Sequence, residues 1–191
     1  IAGMKRHSMD IKLKTSNSRD GRFTLLTSDI LSDTGAYASL GGPILNLCME
    51  HICGVYKIPN VDVTGKAVYT NNGFSAAYRG FGATQATVAI ESQVDIIARE
   101  LNIDPIDFRL MNALERGDIA GLGYKMVLSV GVKKVLEAMK KHPLYINRKR
   151  IKEELSDLPE YKRKYIKRGV GVAVCMQGCC LGVGLPDYAG A

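Results

Sequence analysis

Long apolar runs are missing from this sequence. No stretch reaches the roughly 18 residues that a membrane-spanning helix needs, and the opening Ile1-Ala2-Gly3-Met4-Lys5-Arg6 lacks the apolar core of a secretory leader. A chain that opens on Ile reads as a piece of a longer polypeptide. Histidine is scarce as well. His7, His51 and His142 are scattered and share no metal-ligand spacing, so each reads as a surface or hydrogen-bonded core histidine. The five cysteines (Cys48, Cys53, Cys175, Cys179, Cys180) contain no Cys-x-x-Cys pair, which removes the usual zinc and iron–sulfur spacings. An odd number of thiols without a leader reads as reduced, buried cysteine in an intracellular, cytoplasmic setting. No Ser/His/Asp order and no paired carboxylates stand out, so acid–base catalysis by side chains alone has little support. No internal repeat is visible.

What is present is ordinary globular composition: 191 residues, 46% apolar and 24% charged, enough to bury a sizeable core. The net charge of +7 is local. Between Lys133 and Arg168 there are 13 Lys/Arg against five Asp/Glu, a net +8, which leaves the remainder at −1. Arg148-Lys149-Arg150 and Lys162-Arg163-Lys164 sit among Leu, Ile and Tyr at helical spacing with Glu153, Glu154 and Glu160 interspersed, the pattern of a solvated helix face. A nucleic-acid-binding module or a scaffold is the alternative reading, but no zinc finger, RNP-type aromatic pattern or Gly-x-x-Gly clamp accompanies the charge.

Hydrophobic periodicity supplies the elements. Met9 to Thr15 alternates apolar and polar as a half-buried strand does, Arg19-Asp20-Gly21 is a turn, and Phe23 to Leu31 completes a hairpin. Residues 33–42 read as loop. Pro43 opens a short helix closed by Gly54, and Val61 to Thr70 is strand again. From Ala83 to Leu101, Ile90, Val94, Ile97 and Leu101 recur at helical spacing, with Val88 and Ile96 expected to widen the core-facing stripe. Asp104 caps the next helix, with Pro105 in its first turn, and Arg116-Gly117-Asp118 ends it. Two more helices are expected over Val130 to Lys141 and Tyr145 to Lys164, then a buried strand over Gly169 to Val174 and a glycine-rich stretch from Gly178 to Gly184. The pattern is α+β in two parts, 1–118 and 130–191, joined by a linker over 119–129.

The stretch with the most chemistry is Val68 to Gly82. It carries an Asn71-Asn72-Gly73 turn signal and then Tyr78-Arg79-Gly80-Phe81-Gly82 immediately before the long helix. A helix N-terminus suits an anionic or oxo ligand, because its first N–H groups are unpaired and carry partial positive charge. Arg79 adds a planar, permanently charged fork of donors. Gly80 and Gly82 remove Cβ atoms on either side of Phe81, permitting positive φ or close backbone approach.

This segment, with Gln85 and Glu91 after it, resembles the FRGFG region of the molybdenum hydroxylases, the xanthine dehydrogenase and aldehyde oxidase family. Asp33 to Tyr37, Tyr56 to Asn60, Thr70-Asn71 and Asn112 to Asp118 agree in order, so the likeness runs along nearly the whole chain. The resemblance implies the end of one molybdopterin-binding subdomain and the truncated start of the next, with the cofactor between them. The implied activity is oxidation of an N-heterocycle or an aldehyde with oxygen from water. It also implies molybdopterin, or its cytosine dinucleotide form, with 2Fe-2S clusters and FAD on other domains or subunits and the rest of the large subunit as partner. Arg79 is then the catalytic donor near molybdenum without being a direct ligand. Arg79, Gly80 and Phe81 contact the cofactor, and Phe81, Leu47, Leu181 and Gly182 line the substrate pocket.

The family's base glutamate lies in a later Gly-Glu motif, and its glutamine near the molybdenum oxo group lies in an earlier segment; neither motif occurs here. Glu91 sits on the helix and is not that base. Leu47 and Leu181 stand where purine-oxidising members carry an arginine and a phenylalanine, which points away from xanthine itself toward an aldehyde, a different heterocycle or an acyl thioester. The chain by itself is expected to be inactive, free of molybdenum and prone to associate through an unpaired edge beside unburied Val170, Val172 and Val174.

Overall fold

The computed structural model describes residues 3–150 and 158–177. Its centre is a three-stranded sheet in the order β1-β2-β3, built from β1 (Ser8–Asn17), β2 (Phe23–Gly35) and β3 (Val61–Tyr69). The first two strands form the expected hairpin, with Ile11 opposite Ile30 and a bulge at Ser16/Asn17. The third runs parallel to β2, with Val63 opposite Ser28. A parallel neighbour requires a crossover, and here it contains α1 (Gly41–His51). The second strand continues past Leu31 to Gly35, four residues beyond the expected end, because Ser32 and Asp33 still pair with both neighbours.

One face of the sheet is buried and the other is wet. Leu26, Ser28, Ile30 and Ser32 on β2 point inward, while Asp29 and Leu31 point out, as a period of two demands. Helix α2 (Ala83–Glu100) packs against the inner face and α1, joined by α3 (Pro105–Asn112). Phe23 meets Phe108 edge-on at 5.5 Å, and Leu26, Ile52, Tyr56, Ile90, Val94 and Ile106 fill the same core.

Several expectations need correction. The buried stripe of α2 is Ala83, Ala86, Ile90, Val94 and Ala98. Val88 is 68% exposed and Ile96 41%, because residues two apart on a helix lie on nearly opposite faces. The third helix is capped by Asp104 as expected, its carboxylate accepting from Ile106 N at 2.9 Å and Asp107 N at 3.3 Å. It stops at Asn112 instead of continuing to Asp118. Ala113 turns extended and bridges Tyr56, and Leu114 N donates to Val55 O at 2.9 Å, so tertiary pairing ends the helix.

Beyond a 3-10 turn at Gly121–Gly123, helix α4 (Val132–Lys140) buries Val132 and Leu136 in the core already described. The single helix expected over Tyr145 to Lys164 is replaced, among the described residues, by two short pieces, α5 (Pro143–Ile146) and α6 (Glu160–Arg163). Pro159 stands immediately before the latter, and an interior proline breaks helical hydrogen bonding. The expected strand at 169–174 is not assigned to any ladder among the described residues. Val172 is buried, contrary to the exposed apolar edge expected there, and Val170 and Val174 are half-buried. The glycine-rich stretch from Gly178 lies outside the described residues. No helix among those described is long and apolar enough to cross a membrane.

Candidate functional site

The loop from Thr70 to Gly82 is fastened to the C-terminal end of β2 before it is released into α2. Asp33 does most of the fastening. Its carboxylate accepts from Gly35 N at 2.7 Å, from Thr70 Oγ1 at 2.6 Å and from Asn72 Nδ2 at 2.5 Å. These three donors, the two side chains foremost, hold Asp33 below the usual carboxylate range. Thr34 adds two ties, its hydroxyl to Val68 O at 2.9 Å and its carbonyl to Ser75 N at 3.0 Å. A Cβ on Gly35 would lie 2.6 Å from Gly73 O, so the two backbones meet there because neither residue has a side chain. Tyr37 and Phe74 stand edge-on above this junction at 6.2 Å.

The turn itself has an uncommon backbone. Gly80, Phe81 and Gly82 all have positive φ, at 98°, 47° and 104°. Glycine adopts such angles freely, but phenylalanine does so only at a cost of order 1–3 kcal/mol. Gly82 also lies directly against α1, where a Cβ would come within 2.3 Å of Ile44 O. Phe81 N donates to Tyr78 O and Ala83 N to Gly80 O, both at 2.8 Å, closing two consecutive tight turns.

The donor set suits an anionic ligand. Helix α2 begins with no side-chain cap and no acidic residue in its first turn, and the same holds for α1. Arg79 is exposed, with no side-chain hydrogen bond or ion pair to any described residue. Arg6 flanks the entrance: its guanidinium carbon lies 4.6 Å from the centre of the Tyr78 ring and Nη1 donates to Thr84 Oγ1 at 2.5 Å. The structure thus brings Arg79, Gly80 and Phe81 together at one helix N-terminus. Leu47 is half-buried on the α1 segment touched by Gly82, between Ile44 and Cys48. Leu181 and Gly182 lie outside the described residues.

Local patterns flag the glycines and Arg79, and the resemblance includes Asp33 and Gln85, but the contacts these two and Arg6 make are not readable from sequence. Asp33 reaches forward 37 residues to Thr70 and 39 to Asn72, a separation no local period reveals. Arg6 and Gln85, the latter donating to His7 O at 3.1 Å, are equally long-range. The Asn71-Asn72-Gly73 turn signal and the resemblance at Asp33 to Tyr37, Thr70-Asn71 and Gln85 are the sequence's hints; Arg6 carries none.

The remaining candidates are structural. Cys48 and Cys53 are buried as expected, and burial pushes their thiols up to about 11 and about 12, the signature of unreactive cysteine, whereas Cys175 is exposed, contrary to that expectation. His142 caps α5, accepting from Leu144 N at 3.2 Å, and His51 Nδ1 lies 2.9 Å from Leu47 O. In the basic region Lys133 pairs with Glu115 at 2.8 Å, Lys140 with Asp107, and Arg148 with Asp104 at 2.6 Å. Those three cations already serve intramolecular carboxylates.

Comparison with known proteins places the chain in a family. The family model described as the molybdopterin cofactor-binding domain matches residues 1–113. A probable xanthine dehydrogenase component from Bacillus subtilis (strain 168) is 37% identical over 191 residues, 99% of this chain and 24% of that protein. The nicotinate dehydrogenase large molybdopterin subunit of Eubacterium barkeri is 43% identical over 133 residues, 70% of this chain and 31% of that protein. Among solved structures, the aldehyde oxidoreductase from Desulfovibrio gigas superposes with a TM-score of 0.71 at 27% identity, over 80% of this chain and 16% of that one. The chain therefore spans about a quarter to a third of the length of these curated relatives.

Proposed function

This chain belongs to the molybdopterin cofactor-binding domain family, and from that premise we propose that it forms part of a molybdenum-pterin hydroxylase that oxidises an aldehyde or an N-heterocycle with oxygen from water. The observation that carries this reading is the Arg79-Gly80-Phe81-Gly82 turn: three positive-φ residues and a guanidinium with no partner among the described residues, before a helix without a side-chain cap. The fit to the cofactor rests on this donor set, in which an arginine precedes a helix N-terminus that has no side-chain cap and no carboxylate in its first turn. When bound, the molybdenum-pterin supplies two-electron redox chemistry that side chains cannot.

Arg79 would stabilise negative charge developing on the substrate oxygen, and Gly80 lets the backbone approach closely. Phe81, held in its strained conformation, would form one wall of the substrate pocket. Leu47, with Leu181 and Gly182, would complete an apolar lining without a cationic anchor for a purine, which favours aldehydes or less polar heterocycles. The division into 1–118 and 130–191 is part of the proposal, as are a cytoplasmic setting and partners carrying 2Fe-2S and FAD. The test is turnover of the full-length protein in ¹⁸O-labelled water with an artificial electron acceptor. Label in the product supports the reading; oxygen drawn from dioxygen, or no oxidation of either substrate class, contradicts it.

A further inference from the structure

The Arg79 turn is backed by three consecutive residues from far earlier in the chain, Lys5, Arg6 and His7. Lys5 bridges to Ser75, with Ala76 N donating to Lys5 O at 3.1 Å, and His7 O accepts from Gln85 Nε2 at 3.1 Å. Between those two ties stands Arg6, half-buried, and its guanidinium touches both ends of the turn. Its central carbon lies 4.6 Å from the centre of the Tyr78 ring, and Nη1 donates to Thr84 Oγ1 at 2.5 Å. Tyr78 immediately precedes Arg79, and Thr84 follows Gly82 by two residues. One side chain thus spans the whole Arg79-Gly80-Phe81-Gly82 turn.

What lies between those two contacts needs holding. Phe81 sits at a φ of 47° between two positive-φ glycines, and strained backbone persists only where its surroundings over-determine it. The Gly82 end is fixed by close packing on Ile44 O of α1. The Tyr78 end has less support, since that residue is 52% exposed and its ring lies against Arg6. Thr84 in turn packs on Gly80, where an added Cβ would come within 2.4 Å of the threonine methyl carbon, so a tie on Thr84 bears on the middle of the turn. Arg6 makes no ion pair with a described carboxylate, which leaves its planar fork to serve this loop. We propose that Arg6 is a positioning residue for Arg79: by stacking on Tyr78 and holding Thr84 it fixes the turn, and with it the direction in which the Arg79 guanidinium is presented. The proposal rests on the functional reading above, in which Arg79 acts on charge that develops during the reaction. A donor displaced from that charge loses much of its effect.

The test is a double-mutant cycle in the full-length protein, with amide exchange as a readout that needs no turnover. Arg6→Ala should lower kcat roughly tenfold, while KM and molybdenum content stay within about twofold of the parent. The amides of Phe81 and Ala83, which close the two tight turns, should exchange roughly tenfold faster, with exchange in the sheet unchanged. Added to Arg79→Ala, the same substitution should alter kcat by less than about twofold, because a residue acting only through another has nothing left to position. Arg6→Lys keeps the charge but loses the fork that stacks and donates at once, so it should recover only part of kcat. Parent-like kcat or parent-like turn exchange in Arg6→Ala overturns the proposal. So does a full tenfold loss on the Arg79→Ala background, or complete recovery by Arg6→Lys. If Arg6→Ala does not fold, Thr84→Val, which removes the acceptor and keeps the shape, takes its place, and parent-like exchange and kcat in that variant overturn the proposal instead. A parent protein inactive on both substrate classes fails the functional reading, and the exchange comparison then decides whether Arg6 braces the turn.

Discussion

Arg79 differs from the buried Arg109 in having no partner among the described residues. Arg109 is locked among Glu91, Asp95 and Pro105, whereas the Arg79 side chain projects outward with no described partner. A donor aimed at charge that develops during reaction acts mainly in the transition state. Arg79→Ala in the full-length enzyme is therefore expected to lower kcat by about 10²–10³ while molybdenum content stays near that of the parent; an alanine enzyme with full turnover would reduce Arg79 to a loop residue. His7 makes a separate prediction. It is 2% exposed, neither ring nitrogen has a partner among the described residues, and burial draws its pKa below 6.5 against the smaller opposing pull of Asp33. The unfolded chain then binds a proton more readily than the folded one, so stability should decline as pH falls below about 6.5 and level off below the folded value. His7→Leu should remove that slope in urea midpoints measured from pH 7.5 to 5, without loss at neutral pH, since it removes two unpaired polar atoms.

Among the elements, the start of α2 and the start of α3 are fixed by different means. The first depends on the absence of a side chain at Gly82. An alanine there would combine φ of 104° with a Cβ 2.3 Å from Ile44 O, and both backbones would have to move. Gly82→Ala should cost about 3 kcal/mol or more. Gly117→Ala, with φ of 96° but open space around the new atom, should cost only about 1 kcal/mol; equal shifts in denaturation midpoint would contradict the packing argument. The start of α3 depends on a carboxylate. Asp104 caps it and also accepts from Tyr145 OH at 2.7 Å and Arg148 Nη2 at 2.6 Å. Burial pushes its pKa up, but the donors together outweigh that and leave it lowered. Its contribution is thus present above the ordinary carboxylate pKa and lost as pH falls through the folded value. Asp104→Ala should cost roughly 2–4 kcal/mol, a lost cap plus an unpaired buried hydroxyl, and Asp104→Asn distinctly less, with a shallower acid limb.

Those two helix starts also show what was legible in advance. The hairpin, the α2 helix and the Asp104 cap were readable because period and caps are local signals, and Gly80 and Gly82 stood out as permissive positions beside Arg79. The parallel pairing of β2 with β3, the pinning of the loop by Asp33 and the turn-out at Ala113 depend on partners dozens of residues away. Glu91 shows the same limit from the other side: the resemblance marks its position and the helix excludes it as the base, but its convergence with Tyr56, Arg109 and Val174 depends on residues far away in sequence.

For the whole molecule, charge and cofactor lead to separate tests. The net +7 is concentrated beyond Lys133, where Lys133, Lys140 and Arg148 are already paired with Glu115, Asp107 and Asp104. Binding to DNA or RNA should therefore be weak and vanish at physiological salt, with no sequence preference; retention at that salt would revive the basic-module alternative. The central claim, however, is that the Arg79-Gly80-Phe81-Gly82 turn belongs to the binding site of a molybdenum-pterin. It is tested most directly by metal and pterin analysis of the full-length protein purified in its native complex. About one molybdenum and one pterin per copy of this chain is the expected result, and a folded native complex containing neither would contradict the account.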